Sequence, residues 1–332
     1  MRKLKHCAGA LLLVMPLLST AQDEWNNPEV NQVNRLTQHS DFMVFNNAED
    51  ANLGKFKESA NYLSLEGVWK FNWVEHASQR PTDFYQINYD DSQWGTMPVP
   101  GMWELNGYGD PLYTNVPYAW NTYFETKPPH IDTTQNHVGT YRKSIEIPAN
   151  WQGKNIKMHI GSATSNIYVW INGKFVGYSE DSKLSAEFDI TKYVHKGQNL
   201  FAMQIFRWCD GSYLEDQDMW RLAGIHRDVV MYATPKLQIR DFGIRTILDS
   251  DYHNAELIIH PELKVHEDAL SLVPNCTIEA RLFDESGTMV LDSVLSHNVK
   301  EILNLDHKAK IMNDRNPQRG HPKWGWLSAK IT

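Results

Sequence analysis

Four acids, two tryptophans and a tyrosine fall within the fifteen residues Arg207-Trp208-Cys209-Asp210-Gly211-Ser212-Tyr213-Leu214-Glu215-Asp216-Gln217-Asp218-Met219-Trp220-Arg221. These are the residue types a sugar site uses. Carboxylates accept hydrogen bonds from hydroxyls, and aromatic faces cover the apolar side of a pyranose ring. An acidic surface loop with two core tryptophans is the alternative, and composition alone leaves the two open. Glu215, Asp216 and Asp218 share one short loop with no sign of an apolar pocket that would raise one carboxyl above the others. They are therefore not expected to act as an acid/base pair. No Cys-x-x-Cys or His-Glu-x-x-His spacing occurs, so no transition-metal site is expected.

The elements that must position this stretch read as short strands. Leu65–Trp73 alternates around its aromatics, and Tyr141–Ile147 alternates until Pro148 ends it. Ile156–Ile160, Leu200–Phe206 and Asp228–Tyr232 follow the same habit. Ile167–Ile171 and Lys174–Tyr178 flank Asn172-Gly173, which predicts a type I′ hairpin because both turn residues need positive φ. No long helical period interrupts them, and the spacing predicts a sandwich of the jelly-roll kind from residue 62 to 234. Strands are expected to continue at Leu237–Thr246, Ala255–Val265, Cys276–Phe283, Met289–Leu295 and Val299–Ile311. That pattern suits an immunoglobulin-like sandwich of about seven strands, two more than are visible. Ahead of all this, residues 22–61 are polar with scattered aromatics and read as an extended arm leaning on another surface, or as a disordered leader.

Composition agrees with a globular all-β chain: 332 residues, 42% hydrophobic and 22% charged. Ten of the 12 tryptophans lie at or before Trp220, and 13 of the 14 tyrosines precede Ala233, which places a boundary near Thr234-Pro235. Arg2, Lys3 and Lys5, the apolar run Ala8–Leu18 and small residues through Ala21 read as a signal peptide over residues 1–21. A periplasmic or secreted address follows. Without that segment 29 basic residues face 40 acidic ones, a formal charge of −11. A net-acidic chain argues against nucleic acid, and after cleavage against a membrane, as partner. Cys209 and Cys276 then remain and are expected to be free thiols.

The acidic stretch also resembles the corresponding segment of glycoside hydrolase family 2 β-galactosidases, the large lactose-hydrolysing bacterial enzymes. Three further motifs agree in order and spacing: Pro111-Leu112-Tyr113-Thr114-Asn115-Val116-Pro117-Tyr118, the hairpin continuation from Gly177 to Asp189, and Gly224-Ile225-His226-Arg227-Asp228-Val229. His226 departs from the pattern, which has an aromatic there. The run Glu24–Leu36 resembles the family's start, where the arm supports oligomer contacts. The likeness reaches about Gln318, just after Asn316-Pro317. Residues 319–332 match nothing in the family, as a shifted reading frame or a truncated gene model would produce, and a short homologue with its own terminus is the alternative.

The resemblance implies an order of jelly-roll domain, immunoglobulin-like domain (truncated here, residues 235–318), catalytic (β/α)₈ barrel and further β domains. A barrel needs about 250 residues, so this chain is expected to be the N-terminal portion only. By motif match Asn115 hydrogen-bonds galactose, and Asp218 binds a galactose hydroxyl and helps to hold a sodium ion. Read without the family, Asn115 is a turn residue and Asp218 a loop acid pairing with Arg221. The two glutamates of the retaining reaction and the magnesium ligands belong to the barrel. No catalytic residue is therefore expected in this chain, and hydrolysis of β-galactosides, with magnesium and sodium and in a homo-oligomer, is expected of the full enzyme alone. A stand-alone carbohydrate-binding module and an assembly fragment are the rival expectations.

Overall fold

The structure, a computed structural model, describes residues 23–303 apart from 117, 123, 124, 126 and 292, together with the strand at 327–331. The expected signal segment lies outside the described residues. The arm and the first half of the sandwich supply β1 (Gln32–Val33), β2 (Tyr62–Ser64), β3 (Gly67–Val74), β4 (Gly95–Val99), β5 (Gly101–Met102), β6 (Leu112–Thr114), β7 (Val138–Ile147) and β8 (Asn155–Ile160). The second half adds β9 (Ala163–Thr164), β10 (Asn166–Ile171), β11 (Lys174–Glu180), β12 (Ala186–Asp189), β13 (Gly197–Phe206), β14 (Met219–Arg221), β15 (Gly224–Ile225) and β16 (Val229–Thr234).

Two antiparallel sheets dominate, one of seven strands in the order β1-β11-β10-β13-β7-β3-β4 and one of four in the order β12-β8-β16-β2. Neither closes into a barrel. Alternate residues of facing strands meet between them: Trp69, Tyr141, Val169 and Met203 from the larger sheet, Met158, Phe188 and Met231 from the smaller. The β10–β11 turn is as the sequence requires, with Asn172 at φ 51° and Gly173 at φ 79°.

The larger sheet is buried on both faces, which explains its density of aromatic residues. All six residues of β10 are buried. Ile167, Val169 and Ile171 face the inter-sheet core, while Tyr168 and Trp170 point the other way into a second cluster. Loops and the arm roof that cluster with Trp25, Phe84, Ala119, Ile131 and Trp208. Trp25 stacks on Phe206 with ring centroids 4.7 Å apart. The arm is thus anchored in cis. β1 pairs with β11, Leu36 N donates to Glu187 O, and Asn34 Nδ2 donates to Val176 O. Besides 3-10 turns at Glu24–Asn26 and Phe56–Glu58 it carries a short helix, α1 (Ala48–Leu53), started by the Asn47 side chain accepting from Asp50 N and stopped by Gly54 at φ 64°.

After Pro235 the chain forms a long hairpin, β17 (Leu237–Leu248) with β18 (Ala255–Val265), and a short pair, β19 (Thr277–Ala280) with β20 (Leu295–Asn298). Three strand expectations change here. The strand expected over Cys276–Phe283 is confined to β19. The described residues between Met289 and Leu295 are irregular apart from a bridge between Phe283 and Met289, and Leu295 begins β20. Val299–Leu303 is a helix, α2, where a strand to Ile311 was expected; residues 304–311 lie outside the described ones. The spacing of Val299, Ile302 and Leu303 is helical rather than alternating, and Asn298 Oδ1 accepts from Lys300 N at the helix start. Val299 and Ile302 are buried, and Ile302 meets Ile278, the two buried members of a small cluster. Within the tail that matches no family motif, Leu327–Ile331 forms β21 and pairs with β18.

Candidate sugar-binding site

β6 and β14 form a two-stranded ribbon outside both large sheets, with Thr114 opposite Met219, Tyr113 opposite Trp220 and Leu112 opposite Arg221. Carried one residue further, the same register sets Asn115 opposite Asp218. The two residues singled out from sequence, 103 positions apart, therefore flank one end of one ribbon, and both are exposed. The cross-strand rings of Tyr113 and Trp220 lie 5.6 Å apart and are 50% and 58% exposed. Such a surface offers an apolar face beside hydroxyl-binding groups, the two elements that sugar recognition needs.

The four acids of the stretch divide into distinct roles. Asp210 is buried against Glu180, and Cys209 joins them, each with one ligand atom within 4.8 Å of the others. Burial pushes Glu180 up to about 8, Asp210 up and the Cys209 thiol well up. As folded, the two carboxyls are a proton-sharing pair rather than a charged ligand set. Glu215 accepts from Ser182 N at 3.2 Å and from Ser182 Oγ at 2.8 Å, which ties the acidic loop to the sandwich. Asp216 is exposed. Asp218 accepts from the Tyr113 hydroxyl through Oδ1 at 2.8 Å. Arg221, which the sequence offers as an alternative partner for Asp218, turns instead to Gln217 O at 2.6 Å, Glu215 O at 3.3 Å and the Glu215 carboxylate at 4.0 Å.

The base of the ribbon is pinned from below. Asn136 donates to Trp208 O and accepts from Trp208 N, both at 2.9 Å. The Arg207 guanidinium forms a fully buried ion pair with Glu104 at 3.0 Å and donates to Asp110 O at 3.0 Å, while Glu104 Oε2 accepts from Ala223 N at 2.9 Å. His137 packs on Trp73, and burial together with the Arg207 charge pulls it down to about 4, so it is neutral at physiological pH. His226, where the resemblance calls for an aromatic, contacts Lys183 Nζ through Nδ1 at 3.2 Å and Leu222 O through Nε2 at 2.8 Å. Burial and the Lys183 charge hold it at about 4, so a neutral imidazole fills the position.

Sequence reasoning singled out Asn115 and Asp218 without the residues that contact or underlie them. Tyr113 lies in a quoted motif and, at two residues from Asn115, on the same side of the strand. Its hydroxyl reaches Asp218 as a diagonal cross-strand neighbour, which needs the ribbon register to be seen. Glu104 and Glu180 carried no signal, because nothing in their local sequence shows which distant residue will bury beside them.

Residues 62–235 match the family described as glycosyl hydrolases family 2, sugar binding domain. The chain is 40% identical over 279 residues to a beta-galactosidase of Priestia megaterium, covering 83% of this chain and 27% of that protein. It is 37% identical over 266 residues to a beta-galactosidase of Halalkalibacterium halodurans, covering 80% and 26%. It thus spans about a quarter of the length of these curated relatives. Among solved structures, a beta-glucuronidase from an uncultured Clostridium sp. shares the fold at a TM-score of 0.55 and 18% identity, covering 89% of this chain and 42% of that one. The family match spans more than half of the chain and holds the whole ribbon with its supports, and on that basis this chain belongs to glycosyl hydrolases family 2.

Proposed function

We propose that the chain is the N-terminal sugar-binding and scaffold portion of a β-galactosidase that removes terminal non-reducing β-D-galactose with retention. The observation that carries this reading is the ribbon register ending at Thr114 opposite Met219, which leaves Asn115 and Asp218 next to each strand end, in a chain 40% identical to a beta-galactosidase. In this reading the Asn115 amide and the free oxygen of Asp218 take galactose hydroxyls, an amide and a carboxylate together supplying donor and acceptor. Sodium, when bound, supplies a positive charge for sugar oxygens. Asp218 fits as one of its oxygen ligands, because Tyr113 occupies only Oδ1 and the side chain is exposed. The two catalytic carboxyl groups and the magnesium ligands belong to the barrel of the complete enzyme, which is also where a homo-oligomer is expected. A periplasmic or secreted location goes with the basic and apolar N-terminal residues.

The purified 332-residue chain is expected to leave a chromogenic β-galactoside intact. Turnover that disappears in Asp218→Ala would sink this reading. Calorimetry with lactose in sodium buffer tests the rival: a Kd at or below about 1 mM, roughly −4 kcal/mol, favours a carbohydrate-binding module that works alone.

A further inference from the structure

We propose that Tyr113 is the positioning residue of the Asp218 carboxylate, fixing one oxygen across the ribbon so that the other is presented to a sugar hydroxyl or a cation. The inference rests on the galactoside reading above and deepens it. An aspartate at the end of an exposed two-stranded ribbon would ordinarily rotate freely. Here it is constrained from two sides. From across the ribbon, the Tyr113 hydroxyl donates to Oδ1 at 2.8 Å. From behind, Arg221 holds the carbonyls of Glu215 and Gln217, the residues leading into Asp218. Among the described residues no side chain or amide bonds Oδ2.

The tyrosine is itself held. Its ring lies 5.6 Å from that of Trp220, its direct partner in the ladder, so the hydroxyl is aimed by packing and not by chance.

The test follows the Asp218 side chain by NMR, through the couplings that report its rotamer. In the unaltered chain a single rotamer is expected, and in Tyr113→Phe averaging over several. A rotamer that is already averaged in the unaltered chain, or unchanged in Tyr113→Phe, overturns the proposal whatever the sugar does. The second arm measures binding of methyl β-galactoside in sodium buffer by saturation transfer. Tyr113→Phe, which keeps the ring, is expected to weaken binding about tenfold, and full affinity in that variant overturns the proposal. If the unaltered chain binds no galactoside, the functional reading for the isolated chain fails, while the Asp218 rotamer still decides whether Tyr113 positions it.

Discussion

Arg207 and Glu104 sit 3.0 Å apart as an ion pair from which solvent is excluded, and between them they bond two separate backbones beneath the β6–β14 ribbon. Arg207 begins the acidic stretch and also holds Asp110 O, just before β6. Glu104 holds Ala223 N, just after β14. Burial alone would favour a neutral Glu104, and the adjacent guanidinium opposes that. A buried pair of this kind is weak evidence of net stabilisation, but removing one partner strands the other charge without water. Glu104→Ala is therefore expected to cost about 3–5 kcal/mol, read from urea unfolding. A double variant replacing both partners by apolar residues of similar size is expected to recover most of that loss. A Glu104→Ala midpoint equal to that of the unaltered chain would refute the account.

Glu180 and Asp210 predict how stability depends on pH. Burial raises Glu180 from its unfolded value of 4.5 to about 8, and Asp210 is raised with it. Between those limits the folded chain holds protons that the unfolded chain releases. By linkage, stability must then fall as pH rises through that window, and the contribution is fully present only below about 4.5. His137 and His226, neutral when folded, pull the other way up to their unfolded value of 6.5, so the melting temperature is expected to drop between about pH 6.5 and 8. Glu180→Gln, which keeps a donor toward Asp210, is expected to flatten that slope, and an equally steep fall in that variant would assign the effect to other groups.

Much of the sandwich was legible because its strands satisfy a local rule: β-branched and aromatic residues alternate between turn formers, and Asn172-Gly173 admits one kind of turn. The legibility stopped where local pattern and tertiary context part. Val299-Lys300-Glu301-Ile302-Leu303 read as a continuing strand because strands preceded it, yet the separation of its apolar residues is that of a helix. The site was legible in part. Asn115 and Asp218 stood out through motif likeness, but that they share a ribbon end depends on a register between segments 103 residues apart. Their supports, Glu104, Glu180 and Tyr113, become meaningful only once the fold brings distant segments together.

Trp170 tests the claim that both faces of the larger sheet are buried. Alternation along β10 puts it on the face away from the inter-sheet core, a position that in a one-sided sheet would be solvated and tolerant. Instead it is 2% exposed, stacked on Tyr85 at 5.4 Å and edge-on to Phe84 at 5.0 Å. Trp170→Ala is expected to cost about 3–5 kcal/mol, comparable to emptying a position such as Phe201 in the inter-sheet core. A loss below about 1 kcal/mol, the range of surface substitutions, would show that the loop roof over this face is loose in solution.

Arg221 separates charge from geometry in holding the acidic loop. Its guanidinium reaches two carbonyls and a carboxamide oxygen, at Gln217 O, Glu215 O and Gln217 Oε1, with the Glu215 carboxylate 4.0 Å away. A lysine would retain the charge but lose the planar fork, so the substitution is not conservative here. Arg221→Lys is expected to leave the amides of β7 and β13 protected from hydrogen exchange, while those of Gln217 and Asp218 exchange at least tenfold faster. The far anchor, Glu215 on Ser182, is unaffected by the change, so loosening should be confined to the residues between it and β14. If exchange across 215–218 is unchanged, the loop is fixed by its ends alone, and the contacts of Arg221 are a consequence of its order, not a cause.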